Sequence, residues 1–346
     1  MRTFDYRHLP QRLFDRQVGD ANVRLYEDKG KLDLLEQLHA DQLALLRDSA
    51  HMNNVDASTR IEGLYADPTR VRALIDGAEP IGETEAQIAG YSSALRLIDD
   101  QTDALDLSTS TIVKLYETMY AHRDLGTKSR YRKNDYVYVQ VDGHMQAMPV
   151  SPINAFETPL VLGGACDSLV TAFDANACSP LILAAVFTVD FLCIRPFDEG
   201  NGRIARLFAE LMLEKAGFRV ARYVSIDRII EHSAMAYYDA LNACVDKWDR
   251  GMNDYAPFAH YWLSAIHEAY QNLFARVELM LSASGKSERV RMYLEQSIGE
   301  VSKRMVREAL SDVSEATIEA ELGRLVKDGA IEKIGAGRGT RYLWRK

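Results

Sequence analysis

Apolar residues recur at helical spacing through most of the chain. Leu32, Leu35, Leu38 and Leu45 follow one another at steps of three or seven, with Leu46 adjacent, and Ile112, Leu115 and Met119 at steps of three and four. Such steps bring side chains onto one face of an α-helix, so the first two-thirds is expected to be mainly α. The most apolar run, Leu181 to Ile194, contains Asp190 and is too short to cross a bilayer, which takes about 20 residues. It reads as a buried helix, and no membrane partner is expected. One stretch breaks the helical period. Tyr136 to Val141 is rich in β-formers, Asp142-Gly143 is a two-residue turn, and His144 to Met148 is a second extended run, which together predict a β-hairpin over 136–148. Pro149 and Pro152 end it, and because an isolated hairpin has little core of its own, it is expected to lie against something else.

The last 60 or so residues follow another pattern. Arg289 to Glu295 and Lys303 to Leu310 read as short amphipathic helices, Ser311-Asp312-Val313 as a turn, and Ser314 as the cap of a third helix, Glu315 to Lys327, with Ile318, Leu322 and Val326 as its apolar stripe. Two short strands, Ile331 to Ile334 and Thr340 to Trp344, flank Gly335-Ala336-Gly337-Arg338-Gly339. Three helices and a glycine-tipped hairpin describe a winged helix-turn-helix at 286–346. Charge changes at the same place: residues 286–346 hold 13 basic and 10 acidic side chains, whereas the chain as a whole has 41 and 50. Ser282-Ala283-Ser284-Gly285, just before, has the small residues of a linker. The remainder divides into an N-terminal helical region, 1–100, and a core, 101–280.

Hydrophobic residues at 47% and charged residues at 26% exclude wholesale disorder and fibrous composition. The net charge of -9 speaks against a protein coated in basic surface. Cys166, Cys178, Cys193 and Cys244 are scattered without a CxxC pair, which predicts free thiols in a reducing, cytoplasmic setting and no zinc site. The start of the chain lacks the apolar run of a signal peptide.

The densest chemistry lies in Arg195-Pro196-Phe197-Asp198-Glu199-Gly200-Asn201-Gly202-Arg203-Ile204-Ala205-Arg206. Pro196 ends the apolar helix, and Ile204, Leu207, Phe208 and Leu211 mark the apolar face of the next one. A helix opened by two glycines around an asparagine offers unpaired first-turn amides and the positive end of its dipole, which together favour a phosphate. Arg203 and Arg206 add guanidinium groups, and Glu199 supplies an oxygen suited to a magnesium ion bridging phosphates.

This segment resembles the signature of the Fic domain family, HxFx(D/E)GNGRxxR, and matches it at every defined position except the first. The resemblance extends to Gly90-Tyr91 with Ala94, to Ser129 through Tyr136, to Phe156-Glu157-Thr158-Pro159, to Tyr237 through Leu241 and to Asn253 through Phe258, and so covers nearly the whole chain. It implies a Fic-type helical core with the hairpin as a flap, and an enzyme that moves AMP from ATP onto a protein hydroxyl. By the same resemblance Gly200, Asn201, Gly202, Arg203, Arg206 and Tyr238 bind ATP and Glu199 holds Mg. The flap at 136–148 aligns a strand of the target protein through backbone pairing.

At the first signature position the family has a histidine that takes the proton from the attacking hydroxyl, and here Arg195 stands there. A guanidinium has no lone pair to accept a proton at neutral pH, so Arg195 cannot be the general base. Loss of such a group typically costs about 10²–10⁴ in rate. The readings left open are a nucleotide-binding pseudoenzyme, an engineered inactive variant, or altered chemistry served by another group, for which His144 is the histidine placed near the loop. Upstream, Ser58 to Gly63 resembles the family's inhibitory motif, S/T-x-x-x-E-G/N, with Ser58 and Glu62 on one helical face. The resemblance implies that Glu62 pairs with Arg206 and draws it off the γ-phosphate. In the C-terminal segment, Glu315, Glu319 and Glu321 make the third helix a poor reader of DNA, whereas Lys333, Arg338, Arg341, Arg345 and Lys346 suit phosphate contacts. DNA through 286–346 stands level with protein contacts or a homodimer. The second functional reading is a nucleotide-responsive transcription regulator without catalysis.

Overall fold

The computed structural model describes residues 2–122, 131–141, 144–149, 153–282, 285–297, 299–310 and 312–345, with the backbone alone for 136–149, Ser282 and Arg338. The chain is mainly α. In order run α1 (Arg16–Leu38), α2 (Ala40–Ile61), α3 (Pro68–Ile75), α4 (Gly82–Gln101), α5 (Thr109–Met119), the strands β1 (Tyr136–Val141) and β2 (His144–Pro149), then α6 (Thr158–Asp174), α7 (Pro180–Ile194) and α8 (Asn201–Lys215). They are followed by α9 (Ile226–His232), α10 (Ala234–Ala243), α11 (Ala256–Ser282), α12 (Lys286–Gln296), β3 (Val301–Ser302), α13 (Lys303–Ala309), α14 (Glu315–Lys327), β4 (Ile331–Ile334) and β5 (Arg341–Trp344).

Local chemistry sets many of these boundaries. The Asp15 carboxylate accepts from the Val18 amide at 2.8 Å and caps α1. Asp67 caps α3, where Pro68 takes a first-turn position whose missing N–H costs nothing. Ser108 caps α5, Ser302 caps α13, and Ser314 caps α14 as its sequence predicts. The apolar run becomes α7, buried continuously from Leu181 to Phe191, and it packs against α6, α8 and α11 at the centre of the molecule. No helix among the described residues is long and apolar enough to cross a membrane.

The leucine pattern near residue 38 divides between two helices. His39 leaves helical geometry, ending α1 and opening α2, so Leu32 is buried while Leu38 is 64% exposed. Helices from both sides of residue 100 share one core, since α2 and α4 both lie against elements of the later core, α9 and α8 respectively. Gly90 is where α4 comes closest to the end of α5: a Cβ there would collide with the Met119 carbonyl.

The strands β1 and β2 pair antiparallel, with Tyr136 opposite Pro149 and Val141 opposite His144, the register a two-residue turn requires. The turn residues Asp142 and Gly143 lie outside the described residues, as do Ser129, Arg130, Pro152, Ala283, Ser284, Ser311 and Lys346. Near the C-terminus the sheet has three strands in the order β3-β5-β4, one more than the sequence pattern predicts. Two residues of β3, Val301 and Ser302, pair with Tyr342 and Arg341; a strand so short shows no alternation in sequence. The C-terminal helices rest on α2 and α3. Arg72 reaches the Met305 sulfur at 3.8 Å, and a Cβ at Gly299 would lie 3.4 Å from the Met52 methyl and the Pro68 carbonyl.

Candidate functional site

The loop between α7 and α8 is closed by its own side chains. Asn201 donates from Nδ2 to the Phe197 carbonyl at 2.8 Å and accepts from the Phe197 amide at 3.0 Å, which ties the loop across its base. The Phe197 ring is buried and stacks on Tyr116, 4.0 Å between centroids. Gly200 has φ 74° and caps α8 in left-handed geometry; a Cβ would stand 2.7 Å from the Tyr120 hydroxyl. First-turn amides of α8 have no partner within the helix, so the loop presents them with the positive end of the dipole.

Arg195 ends α7 in the left-handed region, φ 49° and ψ 67°. Its amide donates to the Phe191 carbonyl at 2.8 Å, and its own carbonyl accepts from Arg132 Nε at 2.9 Å. Backbone bonds thus fix this position whatever side chain it has. Burial depresses the Arg195 pKa below its ordinary value, with Glu62 pulling the other way, and its buried Nε has no hydrogen-bond partner. Arg132, missed as a site residue, is the strut of the loop: it also reaches the Ile153 carbonyl at 2.6 Å and the Asn134 carbonyl at 2.8 Å, joining the loop to the foot of the hairpin.

Both predicted phosphate arginines are buried on α8, 3% and 4% exposed. Arg203 donates from one nitrogen to Gln87 Oε1 at 2.6 Å and to the Tyr120 hydroxyl at 3.0 Å, while its Nε and Nη1 are buried without a partner. A buried guanidinium with two open donors is costly unless an acceptor arrives, and this observation fits a phosphate. Arg206 is engaged through two of its nitrogens. Its Nε donates to Ser58 Oγ at 3.0 Å, and Nη2 to the Ser58 carbonyl at 3.0 Å and to Glu62 Oε1 at 3.2 Å. A second carboxylate, Asp227, stands 3.7 Å from Nε. Burial would push the Arg206 pKa down, but Asp227 and Glu62 together hold it above its ordinary value.

Glu62 forms the C-cap of α2 and lies over the start of α8, where a Cβ on Gly202 would collide with its Oε1. The carboxylate therefore occupies the space directly above Gly202, in the first turn of α8. Tyr238 is beside this pair: burial, then Glu62, raises its pKa, and its ring meets Tyr237 edge-on. Glu199 is exposed in the loop. No group of three or more His, Cys, Asp or Glu side chains that could hold a metal occurs among the described residues. A single carboxylate beside a phosphate loop nevertheless suits Mg²⁺, which draws most of its ligands from water and phosphate oxygen. His144 belongs to β2, and its side chain is not among those described.

Gln87, Tyr91, Tyr120 and Asp227 complete the site and were not singled out by sequence. Tyr91 donates to Asp227 Oδ2 at 2.8 Å, and both are buried. The one available signal was the similarity of Gly90-Tyr91 to Fic proteins, which assigns Tyr91 no role.

Comparison with known proteins finds relatives in sequence and in fold. The protein adenylyltransferase Fic of Drosophila melanogaster is 24% identical over 202 residues, 56% of this chain and 39% of that protein, and the Drosophila yakuba protein matches to the same extent. The chain thus spans well under half the length of these relatives. A Fic family protein from Desulfovibrio desulfuricans G20 superimposes with a TM-score of 0.59 at 20% identity, covering 94% of this chain and 96% of its own. A Fic domain containing signaling protein from Bacteroides thetaiotaomicron VPI-5482 gives 0.57, also at 20% identity, covering 74% and 97%. Residues 106–213 match the profile of the Fic/DOC family. The chain carries a Fic/DOC family domain, with the α7–α8 loop and both buried arginines inside it.

Proposed function

We propose that this protein is a Fic-type protein adenylyltransferase scaffold that binds ATP on the 199–206 loop, is held off by Glu62, and is impaired in transfer because Arg195 replaces the general base. The observation that supports it best is the Glu62 carboxylate lodged on Arg206 above Gly202, where an anion bound to α8 would compete for the same donors. Gly200, Asn201, Gly202 and Arg203 would cradle phosphates, Arg206 would take the γ-phosphate once Glu62 leaves, and Tyr238 would border the nucleotide. A magnesium ion held by Glu199 would supply charge neutralisation between phosphates. The flap 136–148 would present β-strand edges to a target protein. What the protein lacks is a proton acceptor at position 195: Arg195 adds positive charge at the loop mouth, which favours holding an anion over activating a hydroxyl.

The test is transfer of label from ATP by the Glu62→Gly protein with and without Arg195→His. Histidine is among the residues enriched in left-handed geometry, so the replacement suits the backbone already present. Label incorporation only with Arg195→His is the expected result. Equal incorporation in both would overturn the impairment, and none in either would reduce the site to a nucleotide binder.

A regulator role is favoured by one feature of the C-terminal unit. Lys303 pairs with Glu315 at 2.8 Å and Glu319 at 2.6 Å, and Arg324 pairs with Glu321 at 2.5 Å, so the acids of α14 are neutralised within the chain. That leaves Lys333 and Arg341 near the wing for duplex phosphates. A gel shift on random-sequence DNA at low salt tests it: no shift would remove the DNA reading and leave protein contacts or a homodimer.

A further inference from the structure

The Glu62 contact engages one side of the Arg206 guanidinium; a second anion stands at the other. We infer that Asp227 is the positioning residue of Arg206, keeping its Nε edge in place while its Nη edge exchanges Glu62 for a phosphate. The inference rests on the nucleotide reading of the loop and deepens it by separating the part of the network that moves from the part that stays.

The arrangement leads to this division. Glu62 sits at the free end of α2 with its side chain 26% exposed, and its hold on Arg206 is one bond of 3.2 Å. Asp227 sits in the first turn of α9 with its side chain 7% exposed, one oxygen 3.7 Å from Arg206 Nε and the other accepting from the buried Tyr91 hydroxyl. Tyr91 is on α4, so two elements outside the inhibitory helix determine where this carboxylate stands. A guanidinium 4% exposed needs a countercharge at every moment. When Glu62 swings out and before a phosphate arrives, Asp227 provides it. Glu210, one turn further along α8, is the less favourable countercharge, since burial first, then Asp99 and Asp227, push its carboxyl well above the usual range. With Asp227 in place, Arg206 stays aimed at the mouth of the loop. Without it, the released side chain has no fixed partner but the Ser58 oxygens, which belong to the inhibitory helix itself.

The experiment compares Mg-ATP and AMP binding by calorimetry in the Glu62→Gly protein, alone and combined with Asp227→Asn or with Tyr91→Phe. Asp227→Asn should weaken ATP by about tenfold or more and leave AMP, which has no γ-phosphate, within about twofold. Tyr91→Phe, which keeps the carboxylate and removes one of its bonds, should do the same to a smaller extent. Equal loss of ATP and AMP would mark a merely structural role and overturn the inference, as would no loss of either. A Glu62→Gly protein that binds neither nucleotide would instead overturn the nucleotide reading beneath it.

Discussion

Two arginine–carboxylate pairs in this protein, both with a buried guanidinium, are held in opposite ways. Asp190, in the middle of α7, meets Arg2 from the N-terminal arm at 3.2 Å. It also accepts from the Tyr6 hydroxyl at 2.7 Å, Trp248 Nε1 at 2.6 Å and the Tyr255 hydroxyl at 2.7 Å. Arg2 in turn reaches the Trp248 carbonyl and Asn253, and its guanidinium lies 4.5 Å over the Trp248 ring. Glu62 has one bond to Arg206 and a side chain 26% exposed. The first carboxylate is saturated by donors from several elements and sealed from water; the second is partly exposed, and on the function proposed above it is the one another anion would replace. Whether a buried ion pair acts as a lock or as a switch follows from how many other bonds each partner keeps when the pair opens, and not from the pair itself.

Breaking the lock gives the largest effect. Asp190→Ala strands a buried guanidinium, two tyrosine hydroxyls and an indole N–H, and should cost about 3–5 kcal/mol of stability by urea denaturation. Glu62→Gly should cost no more than about 1 kcal/mol, because its partly exposed pair is screened and Arg206 retains Asp227 and Ser58. Its effect falls on binding: ATP affinity should rise about tenfold or more by calorimetry. Comparable stability losses from the two variants would dissolve the distinction between lock and switch. Ser58→Ala sharpens it further. The hydroxyl accepts from Arg206 Nε and helps α2 keep the guanidinium, so its removal should raise ATP affinity by about threefold, between wild type and Glu62→Gly.

The lock and the switch were unequally legible in the sequence. Glu62 and Arg206 lie 144 residues apart, yet each belongs to a local motif whose spacing reports its surroundings: a helix end with Ser58 four residues before, and a glycine-framed helix start. The loop, the flap register and the capped helices of the C-terminal unit share this property, since the forces that shape them act between residues a few positions apart. Asp190 appeared only as a charge interrupting an apolar run. Its partners come from positions 2, 6, 248 and 255, with no period or motif to connect them. Asp227 hides for the same reason, an acid in a first turn that reads as a response to the helix dipole until Tyr91 and Arg206 are brought to it. The strand β3 escaped because two residues cannot show an alternation.

Glu210 offers the smallest test, a buried carboxyl that is neither lock nor switch. Burial, then Asp99, Asp227 and Glu214, push its pKa well above the ordinary value of about 4.3, with Arg222 opposing. A carboxyl raised in this way binds its proton more tightly in the folded than in the unfolded chain. Its stabilising contribution is therefore complete below the unfolded pKa and is lost as pH rises from there through the folded value. Glu210→Gln keeps the shape and removes the titration, so the variant should equal wild type near pH 4 and exceed it increasingly from pH 5 to pH 8, by roughly 2 °C in melting temperature at the upper end. A Glu210→Gln protein whose melting temperature tracked wild type across this whole range would show that the raised carboxyl does not set the pH dependence.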